Sequence, residues 1–125
     1  AKRAYMLVHQ MRRINSPAVF ITTCDAQFFP LIRDEEHPTE GNFDRVLCDV
    51  PCSGDGTMRK NPGIWKRWSQ LNACGIHALQ LAIALKGARL TKVGGYLCYS
   101  TCSMNPMENE SVVAELLRAS EGCLE

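Results

Sequence analysis

Two β-rich runs separated by a long helical stretch constrain the fold of this chain more than any other feature. The first run is FDRVLCDV at 43–50 and the second is YLCYST at 96–101. Between them, apolar residues recur at helical spacing over 64–92, as one helix or as two joined near 74–75, before the glycines at 94–95. Strands joined through a helical crossover are parallel. The pattern therefore predicts an α/β fold with helices on the faces of a parallel sheet.

Further elements flank this unit on both sides. Residues 2–14 carry apolar side chains at helical spacing, and residues 18–23 predict a short buried strand. The polar stretch at 34–42 contains Pro and Gly and predicts a loop. A last helix is expected to begin at Asn105, with Glu108 in the position that a capping box requires.

Length and composition exclude several classes of protein. The chain has 125 residues, of which 46% are hydrophobic and 22% charged, as expected for one small globular domain. Its formal net charge is only +1, so a nucleic-acid partner requires a local cluster of basic residues. No apolar run approaches the ~18 residues of a membrane span. Because the chain starts with Ala inside a predicted helix, we expect a piece of a longer protein.

Cysteine is frequent in this chain, and the count of 7 is odd. A secreted disulfide framework usually has an even count and turn-rich spacing. Here most cysteines lie inside or beside apolar runs, which indicates free thiols in a reducing compartment. The seven are Cys24, Cys48, Cys52, Cys74, Cys98, Cys102 and Cys123.

The carboxyl ends of the two main strands place reactive side chains together. The first strand ends in DVPCSG, which contains Asp49 and Cys52, and the second ends in STCS, which contains Cys102. Ligands of open parallel sheets collect beyond these ends, and neighbouring strands lie ~4.8 Å apart. We therefore expect the three side chains on one rim around a small ligand. Cys102 is the better nucleophile candidate, because the positive end of a helix beginning at Asn105 favours the thiolate.

Two other interpretations of these cysteines stay open. A cysteine at a strand end is often just a small buried side chain, although two such cysteines, each followed by Ser, favour a shared function. Four thiolates can also hold zinc, and Cys48, Cys52, Cys98 and Cys102 form the CxxxC spacing twice. Cys48 and Cys98 lie inside apolar strands, however, so the sequence disfavours zinc and we expect no metal.

A basic stretch, MRKNPGIWKRW, follows the first strand. Cations pair with phosphates, and aromatic rings can stack on nucleobases. Arg59 and Lys60 are accordingly candidate contacts to phosphate or substrate. Trp65 and Trp68 fit the helical stripe, so we interpret them as core anchors rather than as a stacking surface.

One further carboxylate follows the predicted strand at 18–23. Asp25 stands at the carboxyl end of that run, where a carboxylate can hold an amine or a hydroxyl of a ligand. A turn-forming Asp is the simpler alternative.

The motifs at these strand ends resemble a known enzyme family. DVPCSGDGT at 49–57 resembles the fourth motif of the Sun-domain RNA cytosine-5 methyltransferases, and STCSMNPME at 100–108 resembles their sixth. MRKN at 58–61 and LQL at 79–81 are also similar to that family. The chain is most similar to the eukaryotic tRNA cytosine-5 methyltransferase branch, over about residues 5–125.

This resemblance implies a class I, Rossmann-like methyltransferase fold, with S-adenosylmethionine as methyl donor. It implies that Cys102 attacks carbon 6 of cytosine while Asp49 hydrogen-bonds and protonates the ring nitrogen. Cys52 then assists loss of the proton and release of the product. Asp25 contacts the adenine of the cofactor, Asp49 also lies against the cofactor, and Pro51 lies against both the cofactor and the target base.

The resemblance further implies the partner and the location of the protein. The partner is RNA, specifically tRNA, with Arg59 and Lys60 as RNA contacts. The eukaryotic branch implies a nuclear location, including the nucleolus. Residues 1–125 correspond to the C-terminal part of the catalytic methyltransferase domain, and thus to the C-terminal part of its doubly wound sheet.

The Gly-rich cofactor loop of the family, and the acidic residue that holds the ribose, have no counterpart in these 125 residues. We therefore expect this chain alone to bind cofactor poorly and to be inactive. The strand at 18–23 lacks a native neighbour, and we expect the exposed strand edge to promote self-association. Two alternatives remain: a thiol module, redox-active or zinc-binding, and a catalytically inert interaction domain.

Overall fold

The computed structural model describes residues 2–32 and 41–125, and it forms an α/β unit. Two strands are present in this part of the chain, β1 (Phe43–Asp49) and β2 (Thr91–Ser100). The helices are α1 (Lys2–Met11), α2 (Ile64–Arg67), α3 (Gln70–Leu90) and α4 (Glu110–Ala119), with short 3-10 turns between some of them.

The two strands are parallel and directly paired, as the sequence predicts. Their register runs without interruption from Arg45 opposite Tyr96 to Asp49 opposite Ser100. The ladder continues one step further, because the Val50 amide donates to the Ser100 carbonyl at 3.0 Å. This register brings the segments that follow β1 and β2 out at the same edge of the sheet.

Helix α3 is the crossover between the strands, and it supplies most of the buried core. Ile83 packs with Cys48 and Val50 of the first strand and its continuation. Ala84, on the same helix, packs with Val112 and Leu116 of α4. The helix therefore holds the sheet and α4 together and supports the sheet edge from one side.

The structure corrects the predicted break within the long helical stretch and its predicted C-terminal end. The break lies at Trp68 rather than near 74–75, because the Ser69 side chain caps α3 by accepting from the Asn72 amide at 3.2 Å. The glycines at 94–95 do not end the helix, since β2 already begins at Thr91. Gly94 has a positive φ of 75° at an irregularity of the strand register, where a residue without Cβ is favoured.

The strand predicted for 18–23 is wrong, because these residues form no strand in the structure. A strand is defined by hydrogen bonds to a neighbour, and in the described residues β1 and β2 pair only with each other. Phe20, which the prediction placed in a buried strand, is 90% exposed. The loop predicted for 34–42 lies outside the described residues apart from its last two positions.

The start of the last helix also differs from the prediction. Helix α4 begins at Glu110, and the residues from Asn105 to Asn109 form a turn before it. Asn105 caps that turn, accepting from the Met107 amide at 3.1 Å. Glu108 does not close a capping box, because its side chain turns inward and is fully buried. The helix-dipole argument for Cys102 loses its basis, since the helix begins eight residues further on.

Helix α1 forms where the sequence predicts it, but no residue in it is buried. Leu7 and Val8, which the prediction placed on its apolar side, are exposed. None of the helices in residues 2–32 and 41–125 combines the length and apolar character that crossing a membrane requires.

Candidate active site

The two segments that leave the sheet edge bring a pair of thiols into contact. The Sγ atoms of Cys52 and Cys102 lie 3.1 Å apart. The Cys102 amide also donates to the Cys52 Sγ at 3.3 Å. All seven cysteines are free, so this contact is between two thiols rather than a disulfide. The sequence predicts the two thiols on one rim, and the structure brings them together.

Glycines allow the two thiol-bearing loops to approach so closely. Gly54 has a positive φ of 74°, which places the turn after Cys52 in a conformation that side chains rarely adopt. The Gly56 amide donates to the Cys102 carbonyl at 3.1 Å, and a Cβ on Gly56 would meet that oxygen at 2.8 Å. Asp55 adds a second link by accepting from the Met104 amide at 3.0 Å.

The buried carboxylate of Glu108 connects the two loops that carry Cys52 and Cys102. Glu108 is fully buried, with 0% exposure. It accepts from the Ser53 amide at 2.8 Å and from the Ser53 hydroxyl at 2.5 Å. The Ser103 hydroxyl donates to it at 2.9 Å. Gln80 of α3 donates to the same carboxylate at 3.1 Å, and to the Pro51 carbonyl at 3.0 Å.

The environment of Glu108 favours its ionised form. Burial by itself raises the pKa of the Glu108 carboxyl. Hydrogen bonds from Ser53, Ser103 and Gln80 more than offset this effect, so the pKa lies below its ordinary value. The Tyr99 hydroxyl donates to the Glu108 carbonyl at 2.7 Å, and burial, followed by the charge of Glu108, raises the pKa of Tyr99 to about 12.

The surroundings of Cys52 favour the neutral form of its thiol. Burial, followed by the hydrogen bond with Cys102, raises the pKa of Cys52 to about 11. Cys52 is therefore a neutral thiol at pH 7, in contact with the more exposed Cys102. The two sulfur atoms thus differ in environment although they touch.

The three residues predicted to bind a cofactor line one cleft, which ends at Pro51, the residue before Cys52. Asp25, Asp49 and Pro51 all face a cleft of about 650 Å³ at the carboxyl end of β1. Leu79 and Ile83 of α3 give this cleft an apolar wall. Carboxylates for polar groups and an apolar wall for a ring are the features that a nucleoside-like ligand requires, and the volume is in the usual range for ligand sites.

The basic stretch is exposed beside the thiols, and the prediction for its tryptophans is wrong. Arg59 and Lys60 are exposed, as a contact to RNA requires. Trp65 is 72% exposed and Trp68 38%, so neither is a core anchor. Trp68 donates from Nε1 to the Ser53 hydroxyl at 3.0 Å, which ties the stretch to the Cys52 loop. Helix α2 ends at Arg67, so the stripe counted for one long helix does not continue.

The structure does not assemble the four-thiol zinc site. Cys48 is buried against Ile83, and burial raises the pKa of its thiol. A buried neutral thiol is a poor metal ligand, because zinc binds the thiolate. In the described residues, no three side chains from His, Cys, Asp and Glu gather closely enough to hold a metal ion.

Sequence reasoning missed the buried polar groups that hold the two loops. It placed Glu108 in a capping box, and it assigned no role to Gln80 or Asp55 as links between the loops. A usable signal was present for Gln80, which interrupts the apolar run ALQLAIAL of α3. A polar residue in the middle of such a run needs a buried partner, although the run itself does not identify that partner.

Comparison with known proteins adds the family to this geometry. Residues 1–123 match the family model described as 16S rRNA methyltransferase RsmB/F. The chain belongs to this family. A multisite-specific tRNA:(cytosine-C(5))-methyltransferase of Saccharomyces cerevisiae is 55% identical over 94% of the chain. A tRNA (cytosine(34)-C(5))-methyltransferase of Drosophila melanogaster is 48% identical over 98% of the chain.

The likeness extends to a solved structure of a related protein. The crystal structure of PH0851 matches with a TM-score of 0.82 and 32% identity, over 94% of this chain and 26% of that protein. The predicted α/β class, a partial Rossmann-like methyltransferase fold, is confirmed. So is the resemblance to the eukaryotic branch of the RsmB/F family. The chain spans only 18% and 17% of the yeast and fly relatives, respectively.

Proposed function

We propose that this chain is the catalytic part of an RNA cytosine-5 methyltransferase that acts on tRNA and uses S-adenosylmethionine. The observation that carries the proposal is the contact between Cys52 and Cys102, with Sγ atoms 3.1 Å apart at the sheet edge. Membership of the RsmB/F family and the tRNA-directed names of the yeast and fly relatives support it. The nuclear location remains part of the proposal through the eukaryotic relatives alone.

Covalent catalysis explains why a thiol belongs at this position. Carbon 5 of cytosine is a poor nucleophile, and addition of a thiolate at carbon 6 activates it. We assign the attack to Cys102, the more exposed of the two thiols. Asp49, at the end of β1, gives a proton to the ring nitrogen as the carbon–sulfur bond forms, which neutralises the charge pushed into the ring.

Cys52 suits the release step rather than the attack. With its pKa raised to about 11, it is neutral at pH 7 and does not compete with Cys102 as nucleophile. After methylation, carbon 5 loses its proton to water, the bond between carbon 6 and the Cys102 sulfur breaks, and the ring nitrogen returns its proton to the Asp49 carboxylate. A neutral thiol 3.1 Å away can donate a hydrogen bond to the departing thiolate. Loss of Cys52 therefore slows release.

The cleft that ends at Pro51 fits the methyl donor. Asp25, Asp49 and Pro51 would hold S-adenosylmethionine there, against the apolar wall of Leu79 and Ile83. When bound, this cofactor supplies an electrophilic methyl group. The cleft lies at the carboxyl end of β1, where open parallel sheets bind their ligands.

The charge distribution supports an RNA partner. From residue 56 to residue 107 the chain contains no Asp or Glu, while Lys and Arg recur throughout this stretch. The whole chain carries a net charge of only +1, so the basic character is local. Arg59 and Lys60 are exposed in this stretch and are the proposed phosphate contacts, and Trp65 offers an exposed ring for stacking.

Covalent trapping in the complete protein that carries this chain tests the proposal. Cys52→Ala and Cys102→Ala are each mixed with a tRNA transcript and S-adenosylmethionine, then resolved on a denaturing gel. We expect an RNA adduct that accumulates in Cys52→Ala and is missing in Cys102→Ala. Cys74→Ala is the matched control, because Cys74 is an exposed thiol on α3. An adduct seen only in Cys102→Ala would exchange the two roles.

A dithiol redox module is the second candidate, because two free thiols in contact can be joined by a two-electron oxidant. A peroxide would accept the two electrons and two protons as the disulfide forms, giving water or an alcohol. Absence of an adduct in both variants, together with reversible oxidation of the pair at physiological peroxide concentrations, would favour this candidate over methyl transfer.

A further inference from the structure

The loops that carry the two thiols share one buried anchor. Ser53 follows Cys52 and Ser103 follows Cys102, and the side chains of both serines donate to Glu108. We propose that Glu108 is a positioning residue, whose buried carboxylate fixes the separation of the Cys52 and Cys102 thiols. Its catalytic consequence rests on the proposed function, whereas its effect on thiol geometry does not.

All hydrogen-bonding groups around the Glu108 carboxylate are donors. The Ser53 amide, the hydroxyls of Ser53 and Ser103, and the Gln80 amide group each donate to it. Asn105 adds a longer contact of 3.5 Å. The amide groups of Ser53 and Gln80 can only donate, whereas the two serine hydroxyls can also accept. A carboxylate anion accepts from all four groups at once, so the site favours charge as well as shape.

The directions of the remaining bonds agree with this arrangement. The Ser53 hydroxyl gives its proton to Glu108 and accepts from Trp68 Nε1 at 3.0 Å. The Ser103 hydroxyl gives its proton to Glu108 and accepts from the Asn105 amide at 3.1 Å. The Ser53 hydroxyl also has longer contacts with Asp55 Oδ1 at 3.5 Å and with the Ser103 hydroxyl at 3.4 Å. The two loops are held through a chain of bonds that has one consistent proton arrangement.

The network lowers the stability of the fold at Gln80, where, in the part of the chain that the structure describes, one buried polar atom stays unpaired. It is fully buried on α3, and among the described residues its Oε1 has no hydrogen-bond partner. A buried unpaired carbonyl destabilises a fold. An apolar residue would avoid that cost, but it would leave the Pro51 carbonyl and Glu108 without the Gln80 donor. The network therefore serves the geometry of the loops rather than the packing of α3.

Disulfide formation reports the thiol separation directly, without any methyl transfer. The complete protein is treated with diamide, which takes two electrons and two protons as the bond between Cys52 and Cys102 forms. Peptide mapping by mass spectrometry follows the linked peptides over time. We expect Glu108→Gln to slow this reaction about tenfold, because loosened loops hold the thiols in contact for less of the time.

Two further variants separate positioning from general damage. Glu108→Asp keeps the anion and is expected to recover part of the rate. Glu110→Gln makes the same chemical change at an exposed glutamate of α4 and is expected to leave the rate unchanged. If Glu108→Gln does not fold, Ser103→Ala replaces it, since it removes one bond to Glu108 and retains the carboxylate. A rate for the tested variant within about twofold of wild type, or above it, overturns the proposal.

Methyl transfer supplies the catalytic readout. We expect Glu108→Gln to lower kcat while the KM for RNA stays within about twofold, because the thiols are displaced and the RNA surface is not. A protein that shows no methyl transfer, but in which Glu108→Gln still slows disulfide formation, would refute the proposed function and leave the positioning role in place. The two failures are therefore distinguishable.

Discussion

The Sγ atoms of Cys52 and Cys102 are 3.1 Å apart although 50 residues separate them in the chain. The parallel register that ends with Asp49 opposite Ser100 accounts for this contact, because it starts both loops at the same level of the sheet edge. This contact between the two sulfur atoms affects the protonation of Cys52. After burial, the hydrogen bond with Cys102 is the largest cause of the raised pKa of Cys52.

The raised pKa of Cys52 predicts slow alkylation at neutral pH. Only the thiolate reacts with iodoacetamide, so the rate at Cys52 is expected to rise about tenfold per pH unit until the pH nears 11. Replacing Cys102 with Ala removes the side-chain hydrogen bond that raises this pKa, and the profile should move to lower pH. Mass spectrometry of the Cys52 peptide after timed alkylation between pH 6 and pH 11 measures both profiles. An unshifted profile in Cys102→Ala would contradict the assigned cause.

The sheet edge was predictable from sequence because its signals are local. Alternation of strand and helix indicates a parallel pair, and a parallel pair brings Cys52 and Cys102 to the same edge. The position of Asp49 in its cleft follows from the same rule for strand ends. For Asp25 that rule does not apply, because the strand proposed before it does not form, although Asp25 lines the same cleft as Asp49.

The polar network was not predictable in the same way, because it depends on three-dimensional pairing. Glu108 has the sequence spacing of a capping residue, yet Ser53, Ser103 and Gln80 reach it only after folding. The helical stripe through Trp65 assumed a helix that continues at least to residues 74–75, and the cap at Ser69 interrupts it. For Glu108 the spacing is correct, but the tertiary partners determine which way the side chain turns. For Trp65 the spacing fails, because the helix is broken at Trp68.

We expect the loops that Glu108 holds together to lose stability in acid. Its pKa is below the ordinary value of 4.5, so the unfolded state takes up a proton at a higher pH than the folded state. The stabilisation is complete above the ordinary value and is lost as the pH falls through the folded-state pKa. Hydrogen exchange at the Ser53 amide, corrected for intrinsic rates, should show protection falling on acidification in wild type but much less in Glu108→Gln. Parallel profiles in the two proteins would exclude Glu108 as the titrating group.

We expect position 56, in the loop after Cys52, to accept only glycine without a loss of stability. A Cβ at this position would lie 2.8 Å from the Cys102 carbonyl oxygen, and that oxygen is backbone. Gly56→Ala should therefore cost about 1–3 kcal/mol, the usual range for overpacking. Gly75→Ala is the matched control, since it lies within α3 with open space around it, and it should stabilise by about 0.5–1 kcal/mol. Calorimetric melting of both variants measures the difference, and equal shifts would contradict the predicted clash.

Arg59 and Lys60 predict the salt dependence of RNA binding. If both contact phosphates, the double variant Arg59→Gln, Lys60→Gln should bind RNA more weakly and lose about 1 from the salt slope for each contact. Lys92→Gln is the control, because Lys92 pairs with Asp44 at the opposite end of the strands. Fluorescence anisotropy with labelled tRNA at several salt concentrations gives the slopes. A double variant with an unchanged slope would remove both residues from the RNA surface.

We expect Trp65 to contribute to RNA affinity by stacking on a base, independently of the charged residues. The ring is 72% exposed between the basic residues of the stretch, and stacking of a base on an exposed aromatic contributes about 1–3 kcal/mol. Trp65→Ala should weaken RNA binding about tenfold or more at fixed salt with an unchanged salt slope, and Trp65→Phe should retain most of the affinity. Leu71→Ala is the matched control, because Leu71 is apolar and 82% exposed but has no aromatic ring. If Trp65→Ala and Leu71→Ala bind tRNA equally well in the anisotropy assay, stacking of a base on the Trp65 ring is excluded.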